Sequence, residues 1–416
     1  MKHIDPIYVG PAAVDELVEY CRASGHDTYV VVVDENTDRA LGRTVTERLR
    51  AAGLRTQPVT LDGRKVVADA HHLLDLFLEL PEGEAMVIAV GSGSLTDIAR
   101  FVSHRGRRAF VSVPTAASVD GFTAIGAPLV VHGMKVTYPA HPPDAVFADL
   151  PTLTAAPAEL TAAGYGDMTG KHTALADWKL GRLLWNEDYS DEAAARTRRA
   201  LDRCVGATQG IARGDTEAMR MLMDGLIESG LSILQFGRSH PASGSEHHFS
   251  HFLEMSAVQK GQAANLHGVN VGLGSIEMAR LYERIRATGE RDAHRLLETS
   301  ELPSREDDEA RIRAAYGPAA ERVIDAHRPF LTMSRDRIER TKQTIAKEWT
   351  HILDIAEEVP PSADIERLLA VVGAPTRPEQ AGLSQSDVEV ARAHGHYLRN
   401  RFTVVKLFRF LGLPLK

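Results

Sequence analysis

The stretch TYVVVVD at residues 28–34 limits the possible folds more than any other part of the chain. A strand with one solvated face alternates apolar and polar residues. An unbroken β-branched run therefore predicts a strand buried on both faces, and hence helices on both sides of a sheet. The next segment, RALGRTVTERLRAAG, has helical spacing and stops at a glycine. The same rhythm returns in AMVIAVGSGSLTDIARFVSHRG and in RAFVSVPTA. Such alternation predicts βαβ units and a mainly parallel sheet. LVVHGMKVTY, residues 129–138, reads as an inserted hairpin with His132 and Gly133 at its turn.

Beyond about residue 155 the buried β-branched runs stop. Long amphipathic stretches such as TEAMRMLMDGLIESGLSIL and RDRIERTKQTIAKEWTHILDIAEEV replace them. The expected architecture is an α/β N-terminal nucleotide-binding domain with a parallel sheet, residues 1–154, followed by an all-α domain, residues 155–416. The link falls within DAVFADLPTLTAAPAEL, where a last short strand gives way to a Pro- and Ala-rich segment.

Composition excludes several function classes. The net charge is -8 with acids and bases interspersed, so no basic face suited to nucleic acid is expected. The two cysteines, Cys21 and Cys204, lie far apart and outside any CxxC spacing. This excludes a thiolate zinc site and fits a reducing compartment, so a cytoplasmic location is expected. The opening MKHIDPIYVG has no apolar core of signal-peptide length, and no apolar run long enough to span a membrane occurs.

AMVIAVGSGSLTDIARF reads as strand, glycine turn and helix. Gly91 and Gly93 let backbone amides approach a ligand, and the helix start offers N–H groups to a phosphate. An alternative reading makes Ser94 an N-cap and Asp97 the far half of a capping box. Asp34, ending a strand of the same sheet, is placed either to accept from ribose hydroxyls or to cap a turn.

ASGSEHHFSHFLEM, residues 242–255, puts three histidines at the start of an amphipathic helix, where histidine has no packing advantage. His247 and His251 are four apart and share a helix face, whereas His248 is turned about 100° away. His267 in NLHGVNVG and Asp167 in AGYGDMTGKH are further candidates. One carboxylate and two imidazoles from separate helices, with a position left open, would make a divalent-cation site with room for substrate.

GSGSLTDIARFVS, SVPTAASVDGFTAIGAP, GMKVTYPAHPPDAVFADL, AGYGDMTGKHTALADWKL, PASGSEHHFSHFLEM and RNRFTVVKLFRFLGL, taken in order, resemble the sn-glycerol-1-phosphate dehydrogenases. These belong to the superfamily of iron-containing alcohol dehydrogenases, glycerol dehydrogenase and 3-dehydroquinate synthase. The resemblance implies a dehydroquinate synthase-like fold with its active site between the two domains. It implies Asp167, His247 and His267 as ligands of one divalent ion (zinc, nickel or iron), with His251 facing the substrate and assisting proton transfer. For NAD or NADP it implies Gly91, Ser92, Gly93, Ser94 and Asp97 at the pyrophosphate and Asp34 near the ribose. Thr115 and Ser118 would lie along the nucleotide, Asp120 near the nicotinamide and substrate, and Lys135 would reach the cleft.

The reaction implied is reduction of dihydroxyacetone phosphate to sn-glycerol 1-phosphate by a homo-oligomer acting on a small-molecule ketone. Alternatives are a dehydrogenase for another polyol or keto compound, a dehydroquinate synthase-like cyclase or lyase, and a non-catalytic nucleotide-binding relative. Synthases of that kind show a GHTxGH block where this chain reads EHHFSH, which favours dehydrogenation. Relatives usually carry arginine just before the PASG block, whereas this chain has His240 there and Arg238 two residues earlier. Exchanging a permanent charge for a group that titrates near neutrality weakens a phosphate site.

Overall fold

The structure, a computed structural model, describes residues 3–63, 66–131 and 134–415. It divides into two compact units, Met1–Tyr165 with Asp202–Gly237, and Gly166–Leu201 with Arg238–Lys416.

The first unit is built on β1 (Ile7–Gly10), β2 (Thr28–Asp34), β3 (Thr56–Leu61), β4 (Ala85–Val90), β5 (Ala109–Val113), β6 (Gly126–Val131), β7 (Met134–Pro139) and β8 (Ala145–Asp149). Six of them form one sheet in the order β1-β8-β5-β4-β2-β3, with every pair parallel. Successive residues of the β-branched run explain its lack of alternation. Val31 and Val33 enter one core with Leu17, Val45 and Leu49, while Val30 and Val32 enter another with Leu76, Ile98 and Val102. Both faces are covered, so no position from Val30 to Val33 is polar, and a charge appears only with Asp34 at the C-terminal end.

β6 and β7 pair antiparallel as the expected hairpin, and its turn, His132 and Gly133, lies outside the described residues. β8, the last strand before the helical region, inserts between β1 and β5.

Helical sequence contributes to both units, so neither unit follows the 1–154 and 155–416 division. The first unit extends to Tyr165 and gains Asp202–Gly237. The physical reason lies in the helix Thr216–Phe236, which packs on the loop after Ser118. Thr123 Oγ1 donates to the Ile227 carbonyl at 3.0 Å, and a Cβ at Gly230 would come within 2.6 Å of the Asp120 carbonyl.

Among its described residues the second unit is entirely helical. Its helices Lys171–Trp185, Ser245–Gln259 and His267–Arg286 meet around the buried Asp177. That carboxylate accepts from the Ser245 amide (2.7 Å), Ser245 Oγ (2.5 Å), Tyr282 Oη (2.7 Å) and the Val404 amide (2.7 Å). Four donors from three separate segments thus end on one side chain. Among the described residues no helix is long and apolar enough to cross a membrane.

Candidate active site

Asp167 lies near the end of the helix Ala158–Thr169, His247 in the first turn of Ser245–Gln259, and His267 at the first position of His267–Arg286. The three helices come together because small residues let their backbones touch. A Cβ at Gly166 would stand 2.3 Å from the Gly268 carbonyl, and one at Gly274 would stand 2.7 Å from the Glu246 carbonyl. These contacts place ligand atoms of Asp167, His247 and His267 all within 4.8 Å of one another. We expect Gly166→Ala to push the Asp167 and His267 helices apart and weaken divalent-metal affinity about tenfold or more, measured by competition with a chromogenic chelator. An unchanged affinity would show that the close approach does not set the ligand spacing.

Each imidazole is oriented by its own carboxylate. His247 Nδ1 bonds Glu246 Oε1 at 2.7 Å, which turns Nε2 toward Asp167 Oδ1, 3.4 Å away. His267 Nδ1 bonds Glu254 Oε1 at 2.7 Å. Carboxylates behind histidines fix the tautomer and ring plane and raise ligand basicity. Glu246 is itself held by the Gly244 amide and Thr173 Oγ1, both at 2.7 Å. Burial pushes its carboxyl up, but the His247 bond and charge outweigh this and hold it below the usual range.

Lys171, one helical turn beyond Asp167, donates to its Oδ1 at 2.8 Å, and both side chains are fully buried. Burial raises the Asp167 carboxyl, yet the Lys171 ammonium, the His247 bond and the charges of His267 and His247 together outweigh it and keep it well below its ordinary value. His247 feels burial and Lys171 pushing it down, while Asp167 and Glu246 hold it up at about 9. One anionic oxygen donor and two borderline nitrogen donors fit a divalent ion of the zinc, iron and nickel class.

His251 belongs to the same cluster. Its ring centroid lies 5.4 Å from His267 and 6.2 Å from His247. His248 does not, in line with its helical phase. It is buried, its nitrogens find no partner among the described residues, and burial together with Arg401 holds it neutral.

In the first unit, the loops after β4 and β5 converge. The Gly91 amide bonds the Val113 carbonyl at 3.0 Å, the Thr115 amide bonds the Gly91 carbonyl at 3.4 Å, and Ser92 Oγ meets Ser118 Oγ. The helix starts at Gly93, with Ser92 rather than Ser94 in the N-cap position. The capping-box reading is thereby overturned: Asp97 instead pairs with Arg100 Nη1 at 3.1 Å. Amides of Gly93, Ser94 and Leu95 precede the first helical bond, from Thr96 N to the Ser92 carbonyl. Burial lifts the Asp97 carboxyl to about 7 against the opposing pull of Arg100 and Lys135.

Asp34 caps the turn Glu35–Thr37, its Oδ1 accepting from the Asn36 and Thr37 amides at 2.8 Å each. Asp120 Oδ2 accepts from Ser229 Oγ at 2.8 Å. Arg100, fully buried, fixes the loop beyond Asp120 by donating to the carbonyls of Gly121 (2.5 Å), Phe122 (2.9 Å) and Gly126 (2.9 Å).

His240 stands 3.8 Å from Glu187, and burial followed by the charges of Arg401 and Arg238 lowers it to about 3, so the ring is neutral. Arg238 pairs with Asp188 at the surface. A guanidinium does stand at this block, however: Arg401 donates to the Ser243 carbonyl and Ser239 Oγ, both at 2.8 Å.

Reading the sequence missed Lys171, Glu246, Glu254, Asp177, Arg100 and Arg401. Two of them carried a local signal: Lys171 lies four residues past Asp167, and Glu246 directly precedes His247.

Residues 8–157 match the sequence profile described as iron-containing alcohol dehydrogenase. The glycerol-1-phosphate dehydrogenase [NAD(P)+] of Geobacillus stearothermophilus is 35% identical over 408 residues, which cover 97% of this chain and 91% of that one. The enzyme of the same name from Bacillus subtilis is 38% identical over 285 residues, 68% of this chain and 72% of that one. Among solved structures, glycerol dehydrogenase from Schizosaccharomyces pombe superposes with a TM-score of 0.63 at 15% identity, covering 98% of this chain and 87% of that one, a likeness of fold. With near-full-length identity of this order, the chain belongs to the glycerol-1-phosphate dehydrogenase family of the iron-containing alcohol dehydrogenases.

Proposed function

We propose that this chain reversibly reduces dihydroxyacetone phosphate to sn-glycerol 1-phosphate with NADH or NADPH. The observation that carries this reading is the cluster of Asp167, His247 and His267, with each imidazole turned by its own carboxylate, in a chain of this family.

Asp167, His247 and His267 would hold one divalent ion, which when bound supplies Lewis-acid polarisation of a carbonyl, while the nicotinamide supplies hydride. Glu246, Glu254 and Lys171 keep the ligands in register. His251 holds or delivers the proton that the product hydroxyl gains, from a ring next to both ligand histidines. Gly91, Ser92, Gly93 and Ser94 cradle the pyrophosphate, whose close approach a side chain at Gly93 would oppose. Thr115, Ser118, Asp97 and Lys135 line the nucleotide. Asp120, held by Ser229, sits by the nicotinamide. Asp34 Oδ1 is taken by the turn, so Oδ2 would meet the ribose, and its charge disfavours a 2′-phosphate and leans the enzyme toward NAD. Arg401 supplies the positive charge that His240 lacks, which keeps a phosphorylated ketone the preferred substrate.

Two buried free cysteines suit a reducing compartment, so we place the enzyme in the cytoplasm, as a homo-oligomer. The cyclase alternative is not favoured, since the relatives above are named dehydrogenases.

The test follows reduced-nicotinamide absorbance with metal-stripped protein, adding back zinc, nickel or iron and supplying dihydroxyacetone phosphate or dihydroxyacetone. Oxidation restored by metal and faster with the phosphorylated ketone is the expected result. No oxidation of either ketone, by protein that binds both metal and nucleotide, would overturn the substrate assignment.

A further inference from the structure

At the opposite end of the sheet from the glycine turn, a cavity of about 830 Å³ opens beside the N-terminal ends of β4 and β5, at Met86 and Ala109. Its walls carry Arg105, Arg107, Arg108, His26, His104 and His141 against a single carboxylate, Asp144. Asp144 is partly committed, because its Oδ2 accepts from the Phe110 amide at 2.9 Å. In a chain of net charge -8, so many basic groups around one cavity need a reason.

Cations at a helix C-terminus offset the helix dipole, and His104 and Arg105 in the last turn of Gly93–Gly106, with Arg107 at its C-cap, do so. That effect does not account for Arg108, His26 and His141 or for the cavity between them. Arg108 is fixed by bonds to the Gly83 carbonyl (3.0 Å) and Pro81 carbonyl (2.6 Å), which anchor its charge at the wall. Arg107 sits in the left-handed region at φ 52°, an uncommon conformation for residues other than Gly, Asn and Asp, as the helix turns toward β5. The His104 and His141 rings stand 5.5 Å apart. His26, on the same wall, has a buried Nδ1 with no hydrogen-bond partner among the described residues. A buried donor or acceptor left without a partner is costly, and a ligand oxygen would satisfy it.

We propose that this cavity binds a diphosphate group, separately from the nucleotide turn. Guanidinium forks give charge-assisted bonds to phosphate oxygens, and the histidine rings offer donors and a flat surface beside them. Inorganic pyrophosphate and ADP share the chemistry, and comparing them tells whether a base adds to recognition.

The test titrates pyrophosphate and then ADP into the full chain saturated with NADH, by calorimetry. The same titrations use an Arg105→Glu, Arg107→Asn double variant, chosen because both side chains are exposed and asparagine tolerates the left-handed region. Binding that persists with NADH present and weakens at least tenfold in the variant is the expected result. ADP binding tenfold tighter than pyrophosphate would assign the source to a nucleotide, and equal binding to the diphosphate alone. A second measurement uses unaltered protein: pyrophosphate should protect Arg105 and Arg107 from phenylglyoxal, read by peptide mass spectrometry. Absent binding, affinity equal in the variant, or labelling indifferent to pyrophosphate would overturn the proposal.

Discussion

Replacing His267 by alanine is expected to leave the protein with less than about a tenth of an equivalent of divalent metal after dialysis and to lower kcat/KM about a thousandfold. In the proposed site His267 supplies one of three ligand positions, and its Nδ1 bond to Glu254 sets the ring plane that turns Nε2 to the ion. The lost polarisation corresponds to about 4 kcal/mol of transition-state stabilisation. Folding should be affected far less, because the His267 side chain is 19% exposed and its removal leaves Glu254 within reach of Ser250 Oγ at 3.2 Å. Metal content by mass spectrometry, read beside the thermal midpoint, separates the two effects. Added imidazole should restore part of both metal binding and turnover. A His267→Ala protein that retains a full metal equivalent would remove this residue from the ligand set.

Asp177→Ala should be the most destabilising single change in the second unit, by on the order of 4 kcal/mol in urea unfolding. It strands four buried donors, the amides of Ser245 and Val404 and the hydroxyls of Ser245 and Tyr282. Each buried orphan costs about 1–3 kcal/mol, with partial relaxation reducing the sum. Burial, followed by the nearby Glu246 charge, lifts the Asp177 carboxyl to about 7. The folded value lies above the unfolded one, so the ionised carboxyl costs the native state more as pH rises between the two. The hydrogen bonds oppose that cost. The alanine variant should therefore lose less at alkaline pH than at pH 5, where wild type keeps the acid neutral and still accepting. Asp177→Asn should recover only part of the loss, since an amide nitrogen would face donors. Metal affinity should also fall about tenfold or more, because the Ser245 amide that Asp177 holds begins the helix carrying His247. A loss under about 1 kcal/mol would mean that solvent replaces the carboxylate.

What the sequence disclosed and what it hid divide along physical lines. Strands buried on both faces announce themselves through unbroken β-branched runs, and this is why β2 and the parallel sheet were legible at TYVVVVD. The clustering of Asp167, His247 and His267 was legible because ligand chemistry restricts residue types, and the resemblance supplied the pairing of distant positions. The capping-box alternative for Ser94 failed because Ser-x-x-Asp looks the same whether the helix begins at that serine or two residues before it. Arg100 and Asp177 were hidden for a different reason. Three of Arg100's four partners and two of Asp177's four are backbone atoms, which leave no signature in residue types, and in Asp177's case one partner lies 227 positions away. The helix Thr216–Phe236 was assigned with the other helices because amphipathicity reports that a face is covered and not what covers it.

The bond from the Val404 amide to Asp177 also orders events during synthesis. The proposed ligands Asp167, His247 and His267 all leave the ribosome before Val404 does, the last of them by roughly 140 residues. At about 5–20 residues per second, that gap is on the order of 10 s. Through that interval the helix bearing His247 lacks part of the network that anchors its first turn. Were an ion to reach the proposed ligands in that interval it would meet a cluster not yet held in register, which would leave metal selection to the finished chain.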